Sequence, residues 1–433
     1  MRTLVIVLVL CGIANSAPME RKSYRNWKLV QVVPVTTEQV DFLRKLENDW
    51  LLDYWEHVHI NKAAAVMLSP EMYPAFVSEV TAHGMTSHVA IEDLQKLAED
   101  AMIPAQNIKV SPQLDMDHSK YHKLNDVMNM IDYFAENKAS VAKRTIGHSL
   151  ENRPIEKLEI NSASGVPNKK IIYLEVLAHA REWITTASTM YFIDNLLNPD
   201  AAKASEAQFL LDNFEWHIVP VTNPDGYLYS WGSDRYWRKN RRNTGNANCP
   251  GVDLNRNFDA NWGGPGTSTS PCSSTYLGTA AESEPETKAI TNDVRGMSTK
   301  PVAYIAVHSY SQYLLIPFGW KSEPDLPNIQ DIRNTANLGS QAISSTSGRS
   351  FEVGKPWEVL YEAAGTSQDW ACKESLVNIP FCITYELLPS GNQGNSGFAP
   401  SASMIVPSGD DLWHSLYAMA VELNDNKWQP PSN

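Results

Sequence analysis

Ile171-Ile-Tyr-Leu-Glu-Val-Leu-Ala178, followed at once by His179-Ala-Arg-Glu-Trp183, is the stretch that decides the fold. The first eight residues are an apolar run of strand length, which predicts a buried strand. Helical spacing takes over at Trp183 and continues to Leu197. A strand that ends in His and Glu and then enters a helix places both side chains at the C-terminal edge of a sheet. Open α/β sheets carry their sites at that edge. Spacing alone is weak support, because His148-Ser-Leu-Glu151 repeats it within the polar stretch GHSLENRP. The apolar strand in front of His179 separates the two pairs.

Working outward, the same rhythm recurs. Buried strands are predicted at 155–160, 171–177, 216–220, 303–308 and 381–386, and helices near 124–137, 183–197, 284–297, 329–346 and 410–424. This is an α/β domain. The Gly/Ser/Asn-rich segments 243–251 and 261–275 are long surface loops. Upstream, strands at 29–35, 63–68 and 87–91 alternate with helices at 37–52, 70–83 and 92–102, a small α+β unit. Between the two lies Ile103-Pro-Ala-Gln-Asn-Ile-Lys-Val-Ser-Pro112. This polar, proline-bearing link exposes Lys109 to proteolysis, with Lys120 a second candidate.

Composition narrows the function. The chain has 433 residues, 43% of them hydrophobic, enough for a sizeable core, with 13 Trp and 17 Tyr as large packing units. A net charge of −13 argues against nucleic acid as a partner. Residues 1–16 have the form of a secretory signal: Arg2, the apolar Leu4–Ile13, then the small residues Ala14-Asn-Ser16. No later run reaches membrane length. The expected product is secreted and extracellular, with no membrane attachment. Four cysteines remain after the signal, an even number that fits two disulfides. Local pairing, Cys249–Cys272 and Cys372–Cys382, is the expected arrangement.

Two imidazoles and a carboxylate suffice to hold a catalytic zinc with its fourth position open. His308 closes the apolar strand at 303–308 and Glu386 closes the one at 381–386. Seven ordered segments then carry a resemblance over nearly the whole chain: HAREW (179–183), TNPDGY (222–227), RYWRKNR (235–241), GVDLNRNF (251–258), VHSYSQ (307–312), VLYEAAGTSQDW (359–370) and ITYEL (383–387). The chain resembles a secreted zinc metallocarboxypeptidase of the pancreatic A/B type in precursor form. The resemblance implies a mixed central β-sheet flanked by helices, preceded by a small α+β propeptide domain. The expected boundaries are 1–16 signal, 17–109 activation propeptide and 110–433 catalytic domain, with a trypsin-like protease cutting after Lys109. A monomer is expected.

Carried over by position, His179, Glu182 and His308 resemble the ligands of one zinc per chain. Asp253 resembles the carboxylate that orients His179. Glu386 resembles the general base. Arg238 resembles the cation that steadies the oxyanion, whereas Arg235, Lys239, Arg241 and Arg242 fit a solvated loop. Asn255 and Arg256 resemble a clamp for the terminal carboxylate of a peptide, with Tyr361 the phenol that closes over it. Arg181 and Phe398 resemble contacts further along the peptide. Gln368 falls at the base of the pocket for the last residue, with Leu315, Gly319, Thr366 and Thr384 around it. A neutral amide there favours neutral C-terminal residues and leaves open whether it bonds a polar one. Leu177-Ala178 stands where the family usually has Gly-Ile, which adds volume beside the metal site. Two rival readings fit the same residues: a family member that binds zinc and peptide ends without turnover, and a carboxypeptidase for charged ends. A serine hydrolase is remote, as no GxSxG occurs.

Overall fold

A computed structural model describes residues 21–104, 116–162, 169–373, 375–389 and 396–429. The signal expected at 1–16 and Lys109 lie outside the described residues. Lys120 lies in a turn and pairs with Asp117 at 3.5 Å.

The N-terminal unit is a four-stranded sheet of β1 (Lys28–Val32), β2 (Asp53–Glu56), β3 (Ala64–Leu68) and β4 (Ser87–Ile91), ordered β2-β3-β1-β4. Helices Thr37–Trp50 and Tyr73–Ala82 cover it. Thr36 caps the first by accepting from Gln39 N, and Leu51 ends it in the left-handed region at φ 54°. Val30, Val32, Leu43, Val66, Leu68, Phe76 and Val80 form a core of their own. The short edge strand β2 is absent from the sequence prediction, and it matters most. Successive strand residues point to opposite faces. Tyr54 therefore enters this small core, while Asp53 and Trp55 face the larger domain.

The C-terminal domain is built on an eight-stranded mixed sheet. Its strands are β5 (Val141–His148), β6 (Pro154–Ile160), β7 (Lys170–Val176), β8 (Phe214–Val219), β9 (Ala303–Ser309), β10 (Tyr313–Leu315), β11 (Glu352–Gly354) and β12 (Phe381–Leu387). Their order is β11-β10-β12-β9-β7-β8-β6-β5. β12, β9, β7 and β8 are mutually parallel, and β5, β6 and β10 pair antiparallel. The parallel strands are mostly apolar and almost wholly buried, as strands covered on both faces must be. Helices Trp183–Leu197, Ile329–Ser347 and Ile405–Leu423 pack together on the sheet, and Pro285–Gly296 packs on β5. Close approach needs glycine at Gly409, where a Cβ would lie 2.3 Å from Tyr191 Cδ1. Both disulfides form as expected, Cys249–Cys272 and Cys372–Cys382. Among the described residues no helix is long and apolar enough to cross a membrane.

The chain leaves β7 toward β8 on one side and reaches β9 on the other. That reversal opens a crevice at the C-terminal ends of the parallel strands, where α/β sheets hold ligands.

Candidate active site

Three strand ends converge on the crevice. β7 stops at Val176 and turns sharply through Leu177, which sits at φ 61°. This backbone conformation explains why glycine is usual there: a side chain at positive φ costs about 1–2 kcal/mol. The turn delivers His179 into the crevice, and Glu182 follows as the N-cap residue of helix Trp183–Leu197. His308 and Glu386 are the last residues but one of β9 and β12 and are direct cross-strand neighbours.

The sequence segments flanking these residues hold the turn in place. Ala180 N donates to Arg238 O at 2.9 Å. Asn223 Nδ2 donates to Ala178 O at 3.0 Å and Lys239 O at 3.2 Å. Trp183 Nε1 donates to Ser230 Oγ at 2.8 Å. Arg235 lies 3.7 Å over the Trp183 ring and donates to the carbonyls of Arg181 and Phe398. Arg235 and Lys239 thus depart from the solvated loop expected of them. Both are buried, the second donating to Pro271 O at 2.7 Å and Ser273 O. Carbonyls and an aromatic face replace their water.

At the centre, the donor atoms of His179, Glu182 and His308 all lie within 4.8 Å of one another, and all three residues are buried. His179 Nδ1 is 2.7 Å from Glu182 Oε1, and His308 Nδ1 is 3.1 Å from Glu182 Oε2. The opposite nitrogen of His179 donates to Asp253 Oδ1 at 3.0 Å, which leaves the Nδ1 lone pair facing the centre. Two imidazole nitrogens and one carboxylate are the donor set of a zinc site, and the residues present fit that ion. The two imidazoles hold the Glu182 carboxylate well below its usual range despite burial.

Asp253 is the hub. Burial opposes its charge, yet Arg238, His179 and Arg256 hold it well below the carboxylate range. Its Oδ2 accepts from Arg238 Nε and Nη2 at 3.1 and 2.8 Å, and its Oδ1 also accepts from Asn255 N at 2.9 Å. Asn255 Oδ1 in turn accepts from Ser367 N at 3.0 Å. Arg256 Nη2 lies 3.3 Å from Tyr361 Oη. Gly365, at φ +72°, lets the segment carrying Tyr361 pass within 2.5 Å (Cβ position) of Arg256 O. Burial pushes the Glu386 carboxyl up to about 8, with Glu182 adding to the rise and His308, Arg238 and Arg256 opposing it.

The N-terminal unit lies over this crevice. Asp53 Oδ2 pairs with Arg181 Nη1 at 2.6 Å. Trp55 packs on Phe398 (5.0 Å) and Tyr236 (4.9 Å), while Arg181 sits 3.9 Å over the Phe398 ring. Glu56 bonds the hydroxyl of Tyr310, and the His57 ring lies 4.1 Å from that of Tyr361. Lys62 Nζ donates to Val359 O. Tyr236 and Tyr310 had no role assigned from sequence. Both lie inside quoted segments, RYWRKNR and VHSYSQ, which was the available signal. His179, Glu182, His308, Asp253, Arg238, Asn255, Arg256, Tyr361 and Glu386 are linked to one another around this one crevice.

A family model described as zinc carboxypeptidase matches residues 127–415, and one described as carboxypeptidase activation peptide matches residues 30–101. The chain belongs to the zinc carboxypeptidase family. It is a zinc metallocarboxypeptidase carrying an activation peptide, that is, a zymogen activated by proteolysis. Carboxypeptidase A2 of Mus musculus is 32% identical over 416 residues, covering 93% of this chain and 94% of that protein. Zinc carboxypeptidase A 1 of Drosophila melanogaster is 32% identical over 430 residues, covering 98% and 97%. Among solved structures, the carboxypeptidase A from Helicoverpa armigera superposes with a TM-score of 0.83 at 29% identity, covering 93% of this chain and 98% of that one. The thrombin activatable fibrinolysis inhibitor gives 0.82 at 28% identity, covering 93% and 100%.

Proposed function

We propose that this zymogen is secreted and, once cut after Lys109, hydrolyses the last peptide bond of a chain to release a single neutral C-terminal residue. The propiece is assigned 17–109 and the enzyme 110–433, acting as a monomer with one zinc held by His179, Glu182 and His308. When bound, zinc supplies Lewis acidity that polarises a carbonyl and acidifies water. The rest falls to the chain. Glu386 takes the proton of the attacking water and passes it to the leaving amine. Its buried setting, with a carboxyl raised to about 8, suits a group that must both accept and return a proton. Arg238, fixed by Asp253, faces the oxygen that becomes negative. Asn255, Arg256 and Tyr361 bind the terminal carboxylate, and a guanidinium suits that geometry. Arg181 and Phe398 receive the preceding residues, and Gln368 closes the pocket for the last one. Two disulfides support an oxidising, extracellular destination.

The observation that carries the reading is the convergence of His179, Glu182 and His308 beside Glu386. It is tested with the trypsin-treated precursor and peptides ending in Leu, Phe, Gln, Lys and Glu, with and without a zinc chelator. Chelator-sensitive release of Leu, Phe or Gln, and only after cleavage, is the expected result. Release of Lys or Glu ahead of these overturns the specificity, and no release with zinc bound overturns the enzyme assignment.

A further inference from the structure

Asn223 stands between β8 and the helix Pro224–Gly232, as the N-cap of that helix, and is fully buried. Its Oδ1 accepts from Gly226 N at 2.9 Å, the usual service of an N-cap side chain. Its Nδ2 leaves the helix and donates to Ala178 O at 3.0 Å and to Lys239 O at 3.2 Å. An amide nitrogen carries two hydrogens, so both are engaged, and the flipped amide would set its oxygen against two carbonyls. Capping alone does not need an amide, because serine or aspartate accepts as well. The NH2 group answers a second demand.

The two carbonyls belong to the segments on which hydrolysis depends. Ala178 precedes His179, and Lys239 follows Arg238. Asn223 N also donates to Leu177 O at 3.2 Å, and Ala180 N donates to Arg238 O at 2.9 Å. The side chains of His179 and Arg238 meet again at Asp253, the first on Oδ1 and the second on Oδ2. The pair is thus tied through its side chains by Asp253 and through its backbone by Asn223. The close seating needs glycine at Gly226, where a Cβ would lie 2.6 Å from Asn223 Nδ2 and 2.7 Å from Lys239 O.

We infer that Asn223 is a positioning residue for hydrolysis: it holds the turn of His179 and the segment of Arg238 at one fixed separation, and so keeps the Arg238 guanidinium aimed at the oxygen that becomes negative beside the metal site. The inference rests on the reading of Arg238 as that cation. The amide of Asn223 is wholly engaged by the chain, so it acts through its neighbours. Its loss should be felt in the transition state. Charge on the oxygen develops after the substrate has bound, so a displaced guanidinium lowers kcat. The terminal carboxylate is held elsewhere, by Asn255 and Arg256, so KM stays near its value.

The test compares activated wild type, Asn223→Ser, Arg238→Ala and the double variant at saturating zinc, with kcat, KM and zinc content read on each. Serine keeps an oxygen for the cap and drops both donors without adding a charge. Asn223→Ser is expected to keep its zinc, to lower kcat by about 30- to 100-fold and to leave KM within about threefold. Added to Arg238→Ala, it should lower kcat by less than about threefold more, because a residue that acts through Arg238 then has nothing left to position. A merely structural residue would instead multiply its full loss into the double variant. The inference is overturned by a kcat within about threefold of wild type in Asn223→Ser, by a loss carried in KM or in missing zinc, or by fully multiplicative losses in the double variant. If Asn223→Ser yields no folded zymogen, Asn223→Asp, which also keeps the cap, takes its place; failure of both to fold makes the residue structural and overturns the inference. A wild-type kcat in Arg238→Ala overturns the reading on which the inference rests, and the inference with it.

Discussion

Asp253→Asn should weaken zinc binding and stability together, because one carboxylate serves both. Asp253 is fully buried and gives one oxygen to His179 Nε2 and the other to Arg238. Asparagine keeps one acceptor and turns the other into a donor. If its oxygen faces Arg238, its NH2 faces the Nε2 hydrogen of His179. The imidazole must then move its proton to Nδ1, the nitrogen that faces the metal centre. If the oxygen faces His179 instead, the NH2 meets a guanidinium that is itself buried. Loss of a carboxylate that orients a ligand histidine costs about 10- to 100-fold in metal affinity, or about 1.4–2.8 kcal/mol. Leaving a buried charge without its partner costs about 3–5 kcal/mol of stability. Affinity is read by competition with a chromophoric chelator, and stability by urea unfolding at saturating zinc. A zinc Kd within about threefold of wild type, together with an unchanged unfolding midpoint, would refute the reasoning.

Three further outcomes are expected. Trp55→Ala removes the aromatic that packs on Tyr236 and Phe398, a change of about 3–5 kcal/mol; titrating cleaved propiece against activated enzyme should show binding weakened by at least about 100-fold, and unaltered binding defeats the docking described. Leu177→Gly relieves a left-handed leucine worth about 1–2 kcal/mol but empties a fully buried site worth about 2–5 kcal/mol, so stability should fall, and a rise in the unfolding midpoint would show that strain dominates. Burial raises the Glu56 carboxyl to about 7 against the catalytic domain, opposed by bonds from Tyr310 and Gln31; Tyr313, Lys62, His57, His59 and Glu352 line the same interface. A carboxyl raised in the docked state favours docking below its ordinary pKa near 4.5, and that contribution is lost as pH rises toward 7. Propiece affinity should therefore weaken between pH 5 and pH 8 and lose part of that slope in Glu56→Gln; equal slopes in the two proteins would rule Glu56 out.

Much of the fold was legible because its centre is apolar and regular. The runs at 171–177, 303–308 and 381–386 became β7, β9 and β12, and the helices at 124–137 and 183–197 run as expected. What escaped was short or polar. β5 is an edge strand with an exposed KRT stretch and a bulge, so it lacks the apolar signal. β2 has four residues, and its two aromatics enter different cores, a fact set by docking rather than by local pattern. The buried Arg235 was missed for the same reason: only the tertiary structure brings the Trp183 ring and two carbonyls to it. Leu177 was visible as a departure, but its positive φ was not. In the site, His179, Glu182, His308 and Glu386 were readable because each closes or follows an apolar strand.

The most direct test of the account is a single comparison after activation: zinc content and turnover of wild type and Glu386→Gln. One zinc per chain in both proteins, with kcat lowered by about 100- to 10,000-fold in the variant, is the predicted result. A variant that keeps its turnover, or that loses its zinc along with activity, would contradict the separation of metal site and base on which the account depends.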